Sequence, residues 1–352
     1  MKFYSASGRT LCLTLVSVLF VGLSTPAQSG RRAPTTTKPQ GQDQVIKLRA
    51  DEVLLNVTVV DPYGKQATDL SRDEFILAED GQRQEMASFL ISSVPANVVL
   101  MLDASGSIVS EINSLRDAAM QFVNQLGPED KISVIEFHTN IELLQDWTSQ
   151  AEEVRHALSW RFKPGMVMNK DGRYDYGSTA LYDALYAAAD DQLSKVDGRK
   201  ALIVLTDGDD TSSKVLYQQA LSRIIKSGAT VYVISKARAF IDELAKYRGK
   251  AARVFGGPVS QNADMYVARL EAAEQVMTDL SNRTGGQLFS PIKDGDLKNV
   301  YAQVAHELKN QYIITYVSKN EARDGSLRHV KVFLTRSGYT CRTRDSYYAP
   351  RD

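Results

Sequence analysis

The sequence predicts an α/β protein: a doubly wound, mostly parallel sheet with a small accessory β domain formed from both chain ends. Three observations carry this. Two short runs, Val98-Val99-Leu100-Met101-Leu102 and Ala201-Leu202-Ile203-Val204-Leu205, are apolar at every position, as strands covered on both faces require. Around them helical and strand patterns alternate, the signature of parallel strands joined by crossover helices. Segments of strand character at either end of this region lack the intervening helices, so they cannot extend the alternation.

Composition fits an exported globular chain. The 352 residues are 43% apolar and 24% charged, with formal net charge zero, so no basic field favours nucleic acid or an anionic membrane surface. Lys2 and Arg9 precede an apolar run from Leu11 to Leu23 and the small-residue ending Thr25-Pro26-Ala27. That layout predicts a signal peptide over 1–27, cleaved after Ala27, and a secreted or periplasmic (cell-envelope) protein. The run is short for a membrane span, so none is expected after cleavage. Of the two cysteines, Cys12 lies in the leader, and Cys341 alone cannot form an internal disulfide.

Residues 28–44 are polar and rich in Pro, Thr and Gln, a composition that predicts a disordered linker. An N-terminal β unit is expected over 45–95. Val53–Val60 alternates and stops at the turn Asp61-Pro62-Tyr63-Gly64; Phe75–Glu79 meets the hairpin signal Asp80-Gly81; Met86–Ile91 follows. The alternating region spans 97–310. After the first buried strand come a helix over 111–126, stopped by Gly127-Pro128, a strand at Lys131–Phe137, a hairpin partner at Ile141–Gln145 and a helix at Ala151–Trp160. Residues 163–176 read as an exposed loop. A helix over Thr179–Leu193, the second buried strand, a helix over 214–227 and a strand at Thr230–Ile234 continue the pattern. Residues 236–262, mixed and rich in Gly, Lys and Arg, give no clear period. A helix over 264–283, a strand at Gln287–Phe289 and a helix over Leu297–Leu308 finish it. The remainder, 311–352, holds strands at Gln311–Val317, Arg328–Leu334 and Gly338–Thr343, expected to pack with the N-terminal β unit.

Chemistry concentrates where buried strands end. The first runs into Asp103-Ala104-Ser105-Gly106-Ser107 and the second into Thr206-Asp207-Gly208, while Gly177-Ser178-Thr179 precedes a helix, where Thr179 is equally expected as an N-cap. In open α/β sheets the loops at the carboxyl ends of the strands share one rim and bind ligands. Two carboxylates (Asp103, Asp207) and three hydroxyls (Ser105, Ser107, Thr179) make an oxygen site suited to Mg²⁺ or Mn²⁺. Its low ligand charge would leave the cation attractive to an acidic group of a partner. Asp209 and Asp210 read as solvated loop charges.

These residues closely resemble the metal-ion-dependent adhesion site of the von Willebrand factor type A (VWA) domain: Asp-x-Ser-x-Ser, a distant Thr and an Asp in Thr-Asp-Gly. The resemblance implies a Rossmann-like fold over about 97–310, with Ser105 and Ser107 as direct Mg²⁺ ligands. It makes Thr179 a state-dependent ligand and Asp103 and Asp207 mostly second-sphere anchors, with a partner's carboxylate completing the octahedron. The flanks, Asp69-Leu70-Ser71-Arg72-Asp73-Glu74-Phe75 with Glu79-Asp80-Gly81-Gln82, and Gln311-Tyr312-Ile313-Ile314-Thr315-Tyr316 with Tyr347-Tyr348, are similar to a group of secreted bacterial VWA-related proteins. The expectation is a binding or adhesion module for a protein or envelope polymer with an exposed carboxylate.

Other classes fit the residues less well. The four histidines (His138, His156, His306, His329) are scattered, with no two at ligand spacing on one helix, so zinc is not expected. Neither a Gly-x-Ser-x-Gly elbow nor a phosphate-cradling Gly-Lys-Ser/Thr loop occurs. The alternative is a metal-dependent enzyme, or an accessory subunit of one; it needs a general base beside the metal, and the sequence names none, while His138 as a candidate base for Ser105 or Ser107 would meet hydroxyls already engaged by the metal. A third reading is a structural domain with an empty site. Tyr339, Tyr347 and Tyr348 read as sheet packing rather than a binding platform.

Overall fold

The computed structural model describes residues 52–91, 94–105, 112–163, 167–168, 174–175, 178–255 and 261–352. The expected leader and linker lie outside these residues, as do Gly106, Ser107 and Gly177. The first part of the chain supplies β1 (Glu52–Val60), β2 (Phe75–Glu79), β3 (Gln82–Gln84), β4 (Met86–Ile91) and β5 (Ala96–Asp103). Next come α1 (Ile112–Val123), β6 (Lys131–Phe137), β7 (Ile141–Thr148) and α2 (Ala151–His156), whose axis continues as a wider π-helical turn over Ala157–Arg161. Two-residue strands β8 (Val167–Met168) and β9 (Tyr174–Asp175) pair with each other. Then follow α3 (Leu181–Ala187), β10 (Arg199–Thr206), α4 (Tyr217–Ser227), β11 (Thr230–Ser235), α5 (Ala237–Phe255) and α6 (Gln261–Arg283). The chain ends with β12 (Leu288–Phe289), α7 (Asp294–Lys309), β13 (Tyr312–Val317), β14 (Leu327–Leu334), β15 (Thr340–Arg342) and β16 (Ser346–Tyr348).

The apolar runs form the centre of a six-stranded sheet ordered β12-β11-β10-β5-β6-β7. All its pairs are parallel except β6 with β7. Alternate side chains of β5 point to opposite faces, as the strand period requires. Val98, Leu100 and Leu102 pack with α1, α2 and α7, whereas Val99 and Met101 pack with α3, α4 and α6. A strand with apolar residues on both faces is therefore satisfied only in this three-layer arrangement. Within 236–262, which gave no period in the sequence, α5 covers Ala237–Phe255 and α6 begins at Gln261.

Both chain ends build the accessory β layer. Two four-stranded sheets, β15-β1-β13-β4 and β16-β14-β2-β3, face one another. Every second residue of β1 (Val53, Leu55, Val57, Val59) enters their shared core with Tyr312, Ile314 and Tyr316 of β13 and Phe75 and Leu77 of β2. Asp80 and Gly81 carry the two-residue turn between β2 and β3 at φ +46° and +81°, the left-handed pair a tight hairpin demands. Within this sandwich the buried Arg328–Glu79 pair (3% and 1% exposed) is wrapped by hydrogen bonds: Glu79 also accepts from Tyr316, Tyr347 and Ser318 hydroxyls. Tyr347 is buried here and Tyr339 packs on the same core, whereas Tyr348 packs against the core of the parallel sheet.

The other face of β1 meets the foot of the parallel sheet. Asn56 donates to Thr230 Oγ1 (3.3 Å) at the start of β11, and Thr58 donates to Glu307 of α7 (2.9 Å). Glu307 also accepts from Tyr232 (2.9 Å) and Arg342 (2.7 Å), and Gln311 donates to both Thr58 and Tyr232. Burial and the Glu307 charge raise the Tyr232 phenol well above its usual range. These contacts gather at the amino end of β11 and the carboxyl end of α7, at the opposite end of the sheet from the carboxyl rim. Among the described residues no helix is long and apolar enough to cross a membrane.

Candidate functional site

At that rim β5 delivers Asp103, fully buried, into a hydrogen-bond lattice. Its Oδ1 accepts the Ser105 N–H (2.9 Å) and its Oδ2 accepts the Thr206 hydroxyl (2.7 Å). The first bond closes the Asx turn that an Asp-x-Ser sequence favours. The second ties the ends of β5 and β10 together. Thr206 Oγ1 in turn accepts the Gly208 N–H (3.0 Å), and Asp207 Oδ1 accepts the Asp209 N–H (3.1 Å). Gly208 has φ +84°, and a Cβ there would lie 3.3 Å from Met277 and 3.4 Å from Ala273 of α6. The turn thus needs glycine for its dihedral and for its closeness to α6.

Thr179 reaches the same rim from the segment before α3. Its N–H donates to Thr211 Oγ1 (2.8 Å), and its carbonyl accepts from the N–H groups of Thr211 (2.9 Å) and Ser212 (3.1 Å). The next residue, Ala180, donates to the His138 carbonyl at the end of β6 (2.8 Å). Thr179 does not cap α3. Asp210 Oδ1 takes the Leu181 N–H (2.8 Å), and Ser213 Oγ takes those of Tyr182 and Asp183, so a loop beyond β10 caps this helix. The structure therefore brings Asp103, Ser105, Thr179 and Asp207 to one rim. All four are buried. Ser107 lies outside the described residues.

Burial, and then the adjacent Asp207 charge, raises the Asp103 carboxyl above the usual carboxylate range. Two acids held this close in a buried rim are costly as anions, and a divalent cation between them removes that cost. The donors are carboxylate and hydroxyl oxygens, the set that Mg²⁺ and Mn²⁺ take. Among the described residues no three His, Cys, Asp or Glu side chains come together as metal ligands, so the hydroxyls would have to complete the shell. The residues fit a hard cation.

Several rim residues were not foreseen. Asp209 and Asp210, expected as solvated charges, are structural: Asp209 is buried and pairs with Arg269 of α6 (2.7 Å), and Asp210 serves α3. Arg269 lies over the Tyr266 ring, 5.3 Å from its centroid. Burial and the Asp207 and Asp209 charges raise the Tyr266 phenol. Lys236 follows β11, is buried, and donates its N–H to the Thr206 carbonyl (2.9 Å). These come from residues distant in sequence, and only the helical period of α6 hinted that something would pack there. His138, the candidate base, is buried with its pKa lowered by that burial, and its Nδ1 lies 3.2 Å from the Asn140 N–H.

The von Willebrand factor type A domain family matches residues 97–277. Among curated proteins the chain is similar to inter-alpha-trypsin inhibitor heavy chain H4 of Bos taurus, 24% identical over 180 residues, 46% of this chain. The match spans only 19% of that relative's length. Among solved structures it is similar to the conserved hypothetical protein BatB from Bacteroides thetaiotaomicron, with TM-score 0.42 and 17% identity over 61% of this chain and all of the other. It is also similar to proximal thread matrix protein 1 from the mussel byssus, in a structure with a zinc-occupied MIDAS motif, with TM-score 0.44 and 14% identity over 65% of this chain and 49% of the other.

Proposed function

The chain belongs to the von Willebrand factor type A domain family, and from that premise we propose that it is an exported binding module recognising an acidic group of a protein or envelope polymer through a divalent cation at the rim. The observation that carries this is the Asp103–Thr206 hydrogen bond, which locks the two aspartate-bearing strand ends into one lattice with Thr179 beside them. Asp103 orients the Ser105 backbone, Thr206 bridges Asp103 to the Gly208 N–H, and Asp207 fixes the turn through the Asp209 N–H. Ser105 and Ser107 would hold Mg²⁺ or Mn²⁺ directly and Thr179 in one liganded state, with Asp103 and Asp207 mostly behind them. When bound, the cation supplies an open coordination position for a carboxylate oxygen. The signal-peptide layout of residues 1–27 supports a setting outside the cytoplasm, as does the similarity of the flanks to a group of secreted bacterial VWA-related proteins. The enzymatic alternative gains no support from His138, whose Nδ1 accepts the Asn140 N–H.

Mn²⁺ titration of the mature chain, followed by electron paramagnetic resonance, tests the site. One equivalent bound by the native protein and none by Asp103→Ala is the expected outcome. Capture of a partner from the envelope fraction in Mg²⁺, lost in EDTA and in Asp103→Ala, tests the use of that site. Equal capture in all three conditions would overturn the metal-mediated reading.

A further inference from the structure

The wall of the rim is α6. A stripe of its residues, Tyr266, Arg269, Ala273 and Met277, recurs at three- and four-residue steps and so lies on one face of the helix. The lower end of the stripe abuts the Thr206-Asp207-Gly208 turn at Gly208, and Met277 and Leu280 belong to the core of the sheet face. At ~1.5 Å per residue, Tyr266 stands about 10 Å beyond Ala273. Arg269, between them, is anchored from behind by buried Asp209 and lies against Tyr266 at its side, yet its side chain is 56% exposed. A guanidinium has five N–H donors in a planar fork. Asp209 accepts from Nη2, and more than half of the side chain faces solvent above the turn that carries Asp207. Beside it Met265 is 71% exposed.

We propose that Arg269, steadied by Asp209 and Tyr266, is a second recognition point next to the cation position, and that the ligand is a segment bearing two acidic groups, one for the cation and one for Arg269. This rests on the reading under Proposed function. A guanidinium already held in place loses little freedom on pairing, which favours a carboxylate over a neutral group at this position. Arg269 thereby discriminates among acidic ligands, while the cation supplies the common attachment.

The test uses surface-immobilised Gly/Ser peptides carrying one Glu, or a second Glu moved along the peptide one residue at a time. Binding of the mature chain is measured in Mg²⁺ and in EDTA, for the native protein and for Arg269→Gln. At one or more spacings the second Glu should raise Mg²⁺-dependent capture about tenfold, the scale of one charge-assisted hydrogen bond. Arg269→Gln should lose that advantage while keeping single-Glu capture and Mn²⁺ affinity. A strut that only holds α6 in place would instead weaken single- and double-Glu capture alike. Equal capture of single and double peptides by the native chain, or an advantage that survives Arg269→Gln, overturns the proposal. Capture of neither, with Mn²⁺ still bound, overturns it too and leaves the cation site standing. Capture indifferent to EDTA removes the metal-mediated reading and this inference with it.

Discussion

Gly208 and Glu136 show how single residues near the rim set its tolerances. A side chain at Gly208 must adopt a left-handed dihedral and press on Ala273 and Met277. Gly208→Ala should therefore cost about 1–3 kcal/mol, read from the shift of the urea unfolding midpoint at unchanged slope. Glu136 sits on β6 directly opposite Glu142 on β7, a like-charge pair across the strands. Burial, and then the Glu142 charge, pushes its carboxyl up to about 7. An acid whose folded pKa is raised favours the fold while protonated; that contribution is intact below its unfolded value of about 4.5 and is lost as pH rises through about 7. Glu136→Gln keeps the shape without the charge. It should match the native protein near pH 4 and melt at a higher temperature at pH 8, and equal melting at both would refute the assignment.

Elements differ in how openly the sequence declares them. β5 and β10 were legible because five apolar residues in a row leave a strand no solvent face, and Asp103 and Asp207 were legible because they end those strands. The three-layer arrangement and the pairing of the two chain ends followed from the same patterns. α5 was not legible: Lys246, Arg248, Gly249, Lys250 and Arg253 interrupt its apolar period, and Gly249 opposes a helix on propensity alone. β3 and β16, three residues each, are too short to show a period. The burial of Asp209 depends on Arg269, sixty positions away, so no local pattern could reveal it. Long-range pairing also governs α7, where Glu307 gathers Thr58, Tyr232 and Arg342. Glu307→Ala leaves a guanidinium and two hydroxyls short of an acceptor, and should cost about 3 kcal/mol. Glu307→Gln, which keeps one acceptor, should cost less. Hydrogen exchange in the Ala variant should rise first in β1 and β15, and uniform exchange through the sheet would argue against a local clamp.

At the scale of the whole molecule, the sandwich and the rim lie at opposite ends of one parallel sheet. The polar contacts of Thr58, Gln311 and Tyr232 hold the foot, and α6 walls the rim beside its Thr206-Asp207-Gly208 turn. The division of labour puts chain-end packing in one place and the ligand chemistry in another, so substitutions in the sandwich core and at Asp103 should act independently.

β1 pairs with β13 along six positions, and Thr58 is bonded to Gln311, 253 positions further on. A ribosome makes β1 early and its partners last. For most of synthesis, then, the first strand has two open edges and no sheet to join, while β5, β6 and β10 can already assemble. Closure of so long a loop is slow, and an unpaired apolar strand invites the wrong neighbour. The sandwich therefore cannot close before residue 317 has been made, and until then neither edge of β1 has its partner.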